Sequence, residues 1–223
     1  MLAPSRESGG SAHDTKGIPS YEWLSQSLPE GDMTKGAKRA MRLAVLQRRS
    51  QMSEAARAVA SAELAARLLT LDVIVTARSV AAYWPFGSEP SPVAAMDVLR
   101  ARGVRILLPV GRADGDLDWA PYTGSEDLAA GIWRFMEPSA GRDGVGAIAT
   151  VDALIVPALA VDARGQRLGR GSGSYDRALA RVPVGGTIIA IVYDDEVVTL
   201  VPTEAHDRPV TTIVTPLRTL AVS

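Results

Sequence analysis

Cysteine is absent from this chain, which excludes disulfides, thiolate nucleophiles and zinc–thiolate centres together. Histidine is nearly absent: His13 and His206 alone are too few for a histidine metal cluster or a Ser-His-Asp triad. Any metal is therefore expected to be hard and oxygen-bound, such as Mg²⁺ on carboxylates and phosphates. Lysine is confined to Lys16, Lys35 and Lys38, so an ammonium needed for chemistry must come from the front of the chain. No apolar run approaches the ~18 residues of a membrane-spanning helix, and no charged-then-apolar leader opens the sequence. The expected compartment is the cytoplasm. A net charge of −1 supplies no basic field to recruit nucleic acid.

At 223 residues the chain reads as one domain with a sizeable core. Residues 1 to 32 are rich in Ser, Gly, Pro and charge and read as a disordered extension. Tyr21, Trp23 and Leu24 could form a short docking arm there. Met33 opens MTKGAKRAMR, which reads as a natural start. From Lys35 to Ser50 Met41, Val45 and Leu46 recur at helical spacing among basic residues. Lys38 and Arg42, four apart, share one face. Ser53 then caps a second helix to about Leu71.

The stretch that organises the rest is 152 to 181, DALIVPALAVDARGQRLGRGSGSYDRALAR. Its apolar run Ala153 to Val161 reads as a buried strand. Gly165, Gly169, Gly171 and Gly173 follow, and from Ser174 the spacing becomes helical. Strand, glycine loop, helix is a phosphate-holding order, because glycines admit an anion to backbone N–H groups. Arg167 and Arg170 add guanidinium forks for phosphate or carboxylate. The same glycines equally suit a tight connection in left-handed backbone. The loop is neither a Walker A motif nor G-x-G-x-x-G. Asp176 either complements the dipole of the following helix or ligates a metal.

R-L-G-R-G-S-G-S-Y-D at 167 to 176, preceded by V-P-A-L-A-V-D at 156 to 162, resembles the signature of the 5-formyltetrahydrofolate cyclo-ligase (methenyltetrahydrofolate synthetase) family. The family form is V-P-G-hydrophobic-A-F-D followed by R-L-G-x-G-K-G-Y-Y-D. K-R-A-M-R at 38 to 42 with Arg48-Arg49, G-I-W-R-F-M-E-P at 131 to 138 and E-A-H-D at 204 to 207 resemble further family segments. The resemblance spans about residues 35 to 216.

It implies a single α/β domain in three αβα layers with a mainly parallel, Rossmann-like sheet (of NagB/RpiA/CoA-transferase type) over 33 to 223. It implies ATP- and Mg²⁺-dependent conversion of 5-formyltetrahydrofolate to 5,10-methenyltetrahydrofolate, a step of one-carbon metabolism. By the same resemblance ATP falls to Lys38, Arg42, Arg167, Gly169, Arg170, Gly171, Ser172, Gly173, Ser174 and Tyr175. Reduced folate falls to Glu89, Arg170 and Trp133, and Mg²⁺ to Asp176 and Asp207, with Arg170 and Lys38 as catalytic cations. Trp133 and Phe135 have a competing reading from the residues alone, since aromatics at spacing two are more often one core face of a strand. No nucleic-acid or membrane partner is expected, and the chain is expected to be a monomer or weak dimer.

Four departures weigh against full activity. The family's loop lysine is Ser172, the first tyrosine of its Y-Y-D is Ser174, and Thr211 and Glu196 replace an Asp and a Gln. Losing a cation at a transferring phosphoryl group can slow a reaction about a hundredfold or more. A non-catalytic or weakly active paralogue that binds folate or nucleotide is therefore the alternative, and lysine at 172 is expected to raise turnover sharply if the loop is otherwise intact. Nucleic-acid binding through Lys35, Lys38, Arg39, Arg42, Arg48 and Arg49 is a third reading, weak for want of any motif.

Overall fold

The computed structural model describes residues 30–139, 141–203 and 207–222, with side chains from Lys35 onward. The expectations for residues 1–29, including the arm Tyr21, Trp23 and Leu24, and for Glu204, Ala205 and His206 lie outside these. Helix α1 runs Glu30–Gln51 and α2 Glu54–Leu68, with Ser53 Oγ accepting from the Ala56 N–H as the sequence predicts. A short α3, Asp72–Val75, leads into strand β1, Ser79–Ala81, and α4 spans Val93–Ala101. Strands β2 (Arg105–Gly111) and β3 (Leu117–Pro121) form a hairpin, followed by β4 (Leu128–Ala130) and β5 (Met136–Pro138). The central segment gives β6 (Ala153–Pro157), β7 (Ala160–Asp162), β8 (Arg167–Leu168) and α5 (Ser174–Leu179). The chain closes with β9 (Thr187–Ile191), β10 (Val197–Val198), β11 (Thr212–Val214) and β12 (Thr219–Ala221).

Seven strands form one sheet in the order β12-β11-β9-β6-β1-β2-β3. Pairings from β11 through β2 are parallel, and the edge strands β12 and β3 are antiparallel. Side chains alternate across it with the strand period of two. Ala153 and Ile155 of β6 join a core with Leu64 and Leu68 of α2 and Met96 and Leu99 of α4. Leu154 and Val156 face the opposite core, with Ala178 and Leu179 of α5. Burial on both faces explains the unbroken apolar run in the sequence, and the three-layer, mainly parallel α/β fold expected above is the one observed.

The apolar run 153–161 is two strands rather than the single one expected. Pro157 has no N–H to extend the ladder, and the chain leaves the large sheet at Ala158. Strand β7 then joins β10 and β8 in a separate three-stranded sheet, against which Val45 of α1 packs. A third sheet pairs β4 with β5.

Where β6 begins, Asp152 staples it to β1. Its carboxylate accepts from the N–H groups of Arg78 at 2.8 Å and Ser79 at 2.9 Å and from the Ser79 hydroxyl at 3.1 Å. Those donors, the Arg78 N–H first, hold the carboxyl below the usual carboxylate range. A depressed acid stabilises the fold above its unfolded value of about 3.9 and loses that contribution as pH falls through the folded value. Asp152→Asn is expected to lower the urea midpoint at neutral pH by the equivalent of about 1 kcal/mol or less, given the group's exposure. The gap from wild type should close as pH falls below the unfolded value of about 3.9 and through the lower folded value. A gap independent of pH would refute this account.

Candidate active site

Chain order reverses between β1 and β6: β2 continues on one side of β1, while β6, β9 and β11 extend on the other. Open α/β sheets leave a crevice beyond the strand ends at such a reversal. Here it is a cleft of about 860 Å³, part of it open solvent, walled by Tyr83 to Glu89 after β1, Pro157 to Leu159 after β6, and the glycine loop. Strand β1 ends at Ala81, so Tyr83 and Trp84 leave the sheet to form the wall. Sequence reasoning missed Tyr83, Trp84 and Phe86; their position beyond an apolar strand was the available signal.

Glu89, Trp133, Arg167 and every residue from Gly169 to Asp176 border this cleft. Lys38, Arg42 and Asp207 are not among its lining residues. Arg42 Nε donates to the Gly169 carbonyl at 2.9 Å, and a Cβ on Gly171 would meet the Arg42 Cζ at 3.3 Å, where φ is already +104°. Glycine at 171 therefore serves both the left-handed backbone and the approach of a guanidinium. One turn earlier on α1, the buried Lys38 pairs with Asp207 at 3.1 Å.

Opposite charges meet around the loop. Arg167 Nη2 donates to Asp176 at 2.7 Å, and Arg170 Nε donates to Glu89 at 2.7 Å. Arg170 also lies over the Phe86 ring at 5.4 Å, joining the glycine loop to the loop after β1. Tyr175 lies beneath the Arg167 guanidinium at 5.9 Å. Its hydroxyl is buried with no partner among the described residues, as is Arg167 Nε. Burial pushes the Tyr175 phenol far above its ordinary range, so it stays protonated and can donate. Ser174 is also buried, its hydroxyl 3.1 Å from that of Ser172.

Trp133 and Phe135 do not form the core face of a strand, the reading their spacing favours. They stand in the turn between β4 and β5, where Arg134 takes φ +63°, uncommon for a residue other than glycine. Both rings line the cleft and meet edge to face at 5.8 Å, and Phe135 meets Phe86 likewise at 5.9 Å. A Cβ on Gly111 would stand 2.9 Å from the Trp133 ring, so the indole packs on bare backbone of β2. A turn holding a left-handed residue matches the spacing of a strand without its geometry.

Beneath the cleft lies a buried ion pair. Arg49, on α1, donates to both oxygens of Glu196 at 2.6 and 2.7 Å and to the Ala158 carbonyl at 2.7 Å. Glu196 also accepts from the Tyr193 N–H at 2.8 Å. The side chains are only 1% and 2% exposed. Burial pushes the Glu196 carboxyl up, with Arg49 opposing; burial works against the Arg49 charge, which the carboxylate more than offsets. Bidentate geometry fixes the pair as ionic.

Among the described residues no three or more His, Cys, Asp or Glu gather as a metal site. Mg²⁺ needs only one or two carboxylates besides water and substrate phosphates. Asp176 and Asp207 are carboxylates of that kind, each now paired with a cation, Arg167 and Lys38 respectively. No described helix is long and apolar enough to cross a membrane.

Residues 34–216 match the family model described as the 5-formyltetrahydrofolate cyclo-ligase family. The 5-formyltetrahydrofolate cyclo-ligase of Mycolicibacterium smegmatis is 39% identical over 191 residues, covering 83% of this chain and 97% of the relative. That of Escherichia coli K12 is 30% identical over 180 residues, covering 77% and 96%. The NMR structure of Aquifex aeolicus 5,10-methenyltetrahydrofolate synthetase aligns with a TM-score of 0.71 at 28% identity, covering 83% of this chain and 92% of that one.

Proposed function

The chain belongs to the 5-formyltetrahydrofolate cyclo-ligase family, and on that premise we propose that it converts 5-formyltetrahydrofolate to 5,10-methenyltetrahydrofolate, with ATP giving ADP and phosphate. The formyl oxygen takes the γ-phosphoryl group, N10 closes the ring on the formyl carbon, and that oxygen leaves within the phosphate. The observation that carries the reading is one cleft, at the sheet's switch point, where the glycine loop faces the aromatic wall of Phe86, Trp133 and Phe135.

In this reading the backbone from Gly169 to Tyr175 cradles the triphosphate, with Arg42, Arg167 and Arg170 around it. Lys38 and Arg170 exchange their present carboxylate partners for phosphoryl oxygens as charge develops. Glu89 and Trp133 orient the folate, the indole offering a flat face to the pterin. Asp176 and Asp207 would hold Mg²⁺, which when bound supplies neutralisation of phosphate charge. On the loop's inner side the Ser174 side chain and the Tyr175 hydroxyl are buried, while Arg170 to Ser172 are exposed.

The test is purified protein with 5-formyltetrahydrofolate, ATP and Mg²⁺, following the near-ultraviolet absorbance of the methenyl product. A rise that needs both ATP and Mg²⁺ is expected. A flat trace overturns the catalytic reading. Flat absorbance with tight folate or ATP binding by calorimetry would instead support a binding paralogue, the reading that Ser172 and Ser174 favour.

A further inference from the structure

We propose that Arg177 supplies, from the first turns of α5, the cationic side chain that position 172 of the glycine loop lacks. The inference rests on the ATP-binding reading of that loop. Ser172 is exposed, and its hydroxyl engages Ser174 instead of reaching outward with charge. The cations around it are mostly spent: Arg167 on Asp176, Arg170 on Glu89, Lys38 on Asp207. An ion pair presents little net field to an incoming anion. Among the described residues, Arg42 and Arg177 are the two arginines that border the loop and bond only carbonyl oxygens there.

Helix geometry aims Arg177 at the loop. Its N–H donates to the Gly173 carbonyl at 3.1 Å, which puts residue 177 one turn above Gly173, and side chains on a helix lean toward its N-terminus. The guanidinium accordingly folds back. Nη2 donates to the Gly115 carbonyl of the β2–β3 hairpin and lies 3.5 Å from the Ser172 carbonyl. Nη1 sits 3.4 Å from where a Cβ on Gly173 would stand, at φ +70°. Nε and Nη1 make no hydrogen bond among the described residues, so planar donors remain for an anion. With Arg42 against Gly171 and Arg177 against Gly173, two uncompensated guanidinium groups flank Ser172. The Gly115 carbonyl holds Arg177 in place before any ligand arrives, so little side-chain entropy is left to lose.

Four proteins test this: wild type, Arg177→Gln, Ser172→Lys and the double variant, each with kcat, KM for ATP, KM for folate and Tm. Arg177→Gln is expected to lower kcat/KM for ATP about tenfold, less than an enclosed donor because the group is solvated, with the folate KM unchanged. Ser172→Lys should restore most of that loss in the Arg177→Gln background without restoring Tm, and should help wild type far less. A purely structural clamp on Gly115 predicts instead a fall in Tm that lysine at 172 does not rescue in rate. That result, or an Arg177→Gln rate equal to wild type, overturns the proposal. A wild type without ATP-dependent turnover removes the catalytic reading and the role of Arg177 with it.

Discussion

Glu196→Ala is expected to cost about 3–5 kcal/mol of stability, because it strands the buried Arg49 guanidinium without its counter-charge. For a domain of this size that is a fall in Tm of roughly 6–20 °C, and a large part of the ~5–15 kcal/mol that holds a typical domain folded. Arg49 cannot shed its proton to relieve the burial, and the Ala158 carbonyl alone cannot neutralise it. Glu196→Gln keeps an acceptor and the shape but loses the bidentate charge, so its loss should be smaller. The pair Arg49→Met with Glu196→Leu should recover much of the stability, since replacing both partners removes two desolvation penalties. It still leaves the Ala158 carbonyl and Tyr193 N–H unpaired. Thermal and urea unfolding of the four proteins measure this. A Tm for Glu196→Ala within a degree or two of wild type would mean that the pair is not buried in solution.

Turnover should fall at least about a hundredfold in Asp176→Asn, the scale of removing one electrostatic stabiliser from a phosphoryl or acyl transfer site. The neutral amide keeps the size of the side chain but can no longer hold a hard cation as a carboxylate does. It also releases Arg167, now 2.7 Å from Asp176, whose charge would then favour phosphate without the metal. The signature is therefore a split: nucleotide binding largely retained, turnover lost and not restored by excess Mg²⁺. Initial rates across a Mg²⁺ titration, beside ATP binding by calorimetry, resolve the two. Rates within threefold of wild type would assign Asp176 to its other role, the first-turn acid of α5.

The ion pairs explain why so much charge can stand around one small cleft. Arg170 and Glu89 are 81 residues apart in sequence, and Lys38 and Asp207 are 169 apart. Each pair lowers the repulsion that either partner alone would meet. Under the proposed function, Lys38 and Arg170 would exchange these carboxylates for phosphate, leaving Asp207 to the metal and Glu89 to the folate.

Periodicity and turn chemistry by themselves marked the buried strand at 153 and the helix capped by Ser53, because a strand buried on both faces is apolar throughout and serine at a helix start accepts a free backbone N–H; the three-layer α/β class came from the resemblance. The glycine loop and its following helix were equally legible, since only glycine takes the left-handed backbone of 171 and 173 without strain. Three things needed the tertiary structure. The break of 153–161 at Pro157 depends on which partner strands accept each half, and a run of apolar residues carries no record of its neighbours. Trp133 and Phe135 follow strand spacing but stand in a turn, because Arg134 adopts a conformation that residue identity does not announce. The pairing of Arg49 with Glu196 and the return of Arg177 onto the loop depend on side chains meeting across space. Local sequence sets which conformations are cheap, whereas electrostatic partners are chosen by distance in the folded chain, and that distance is known only once the chain has folded.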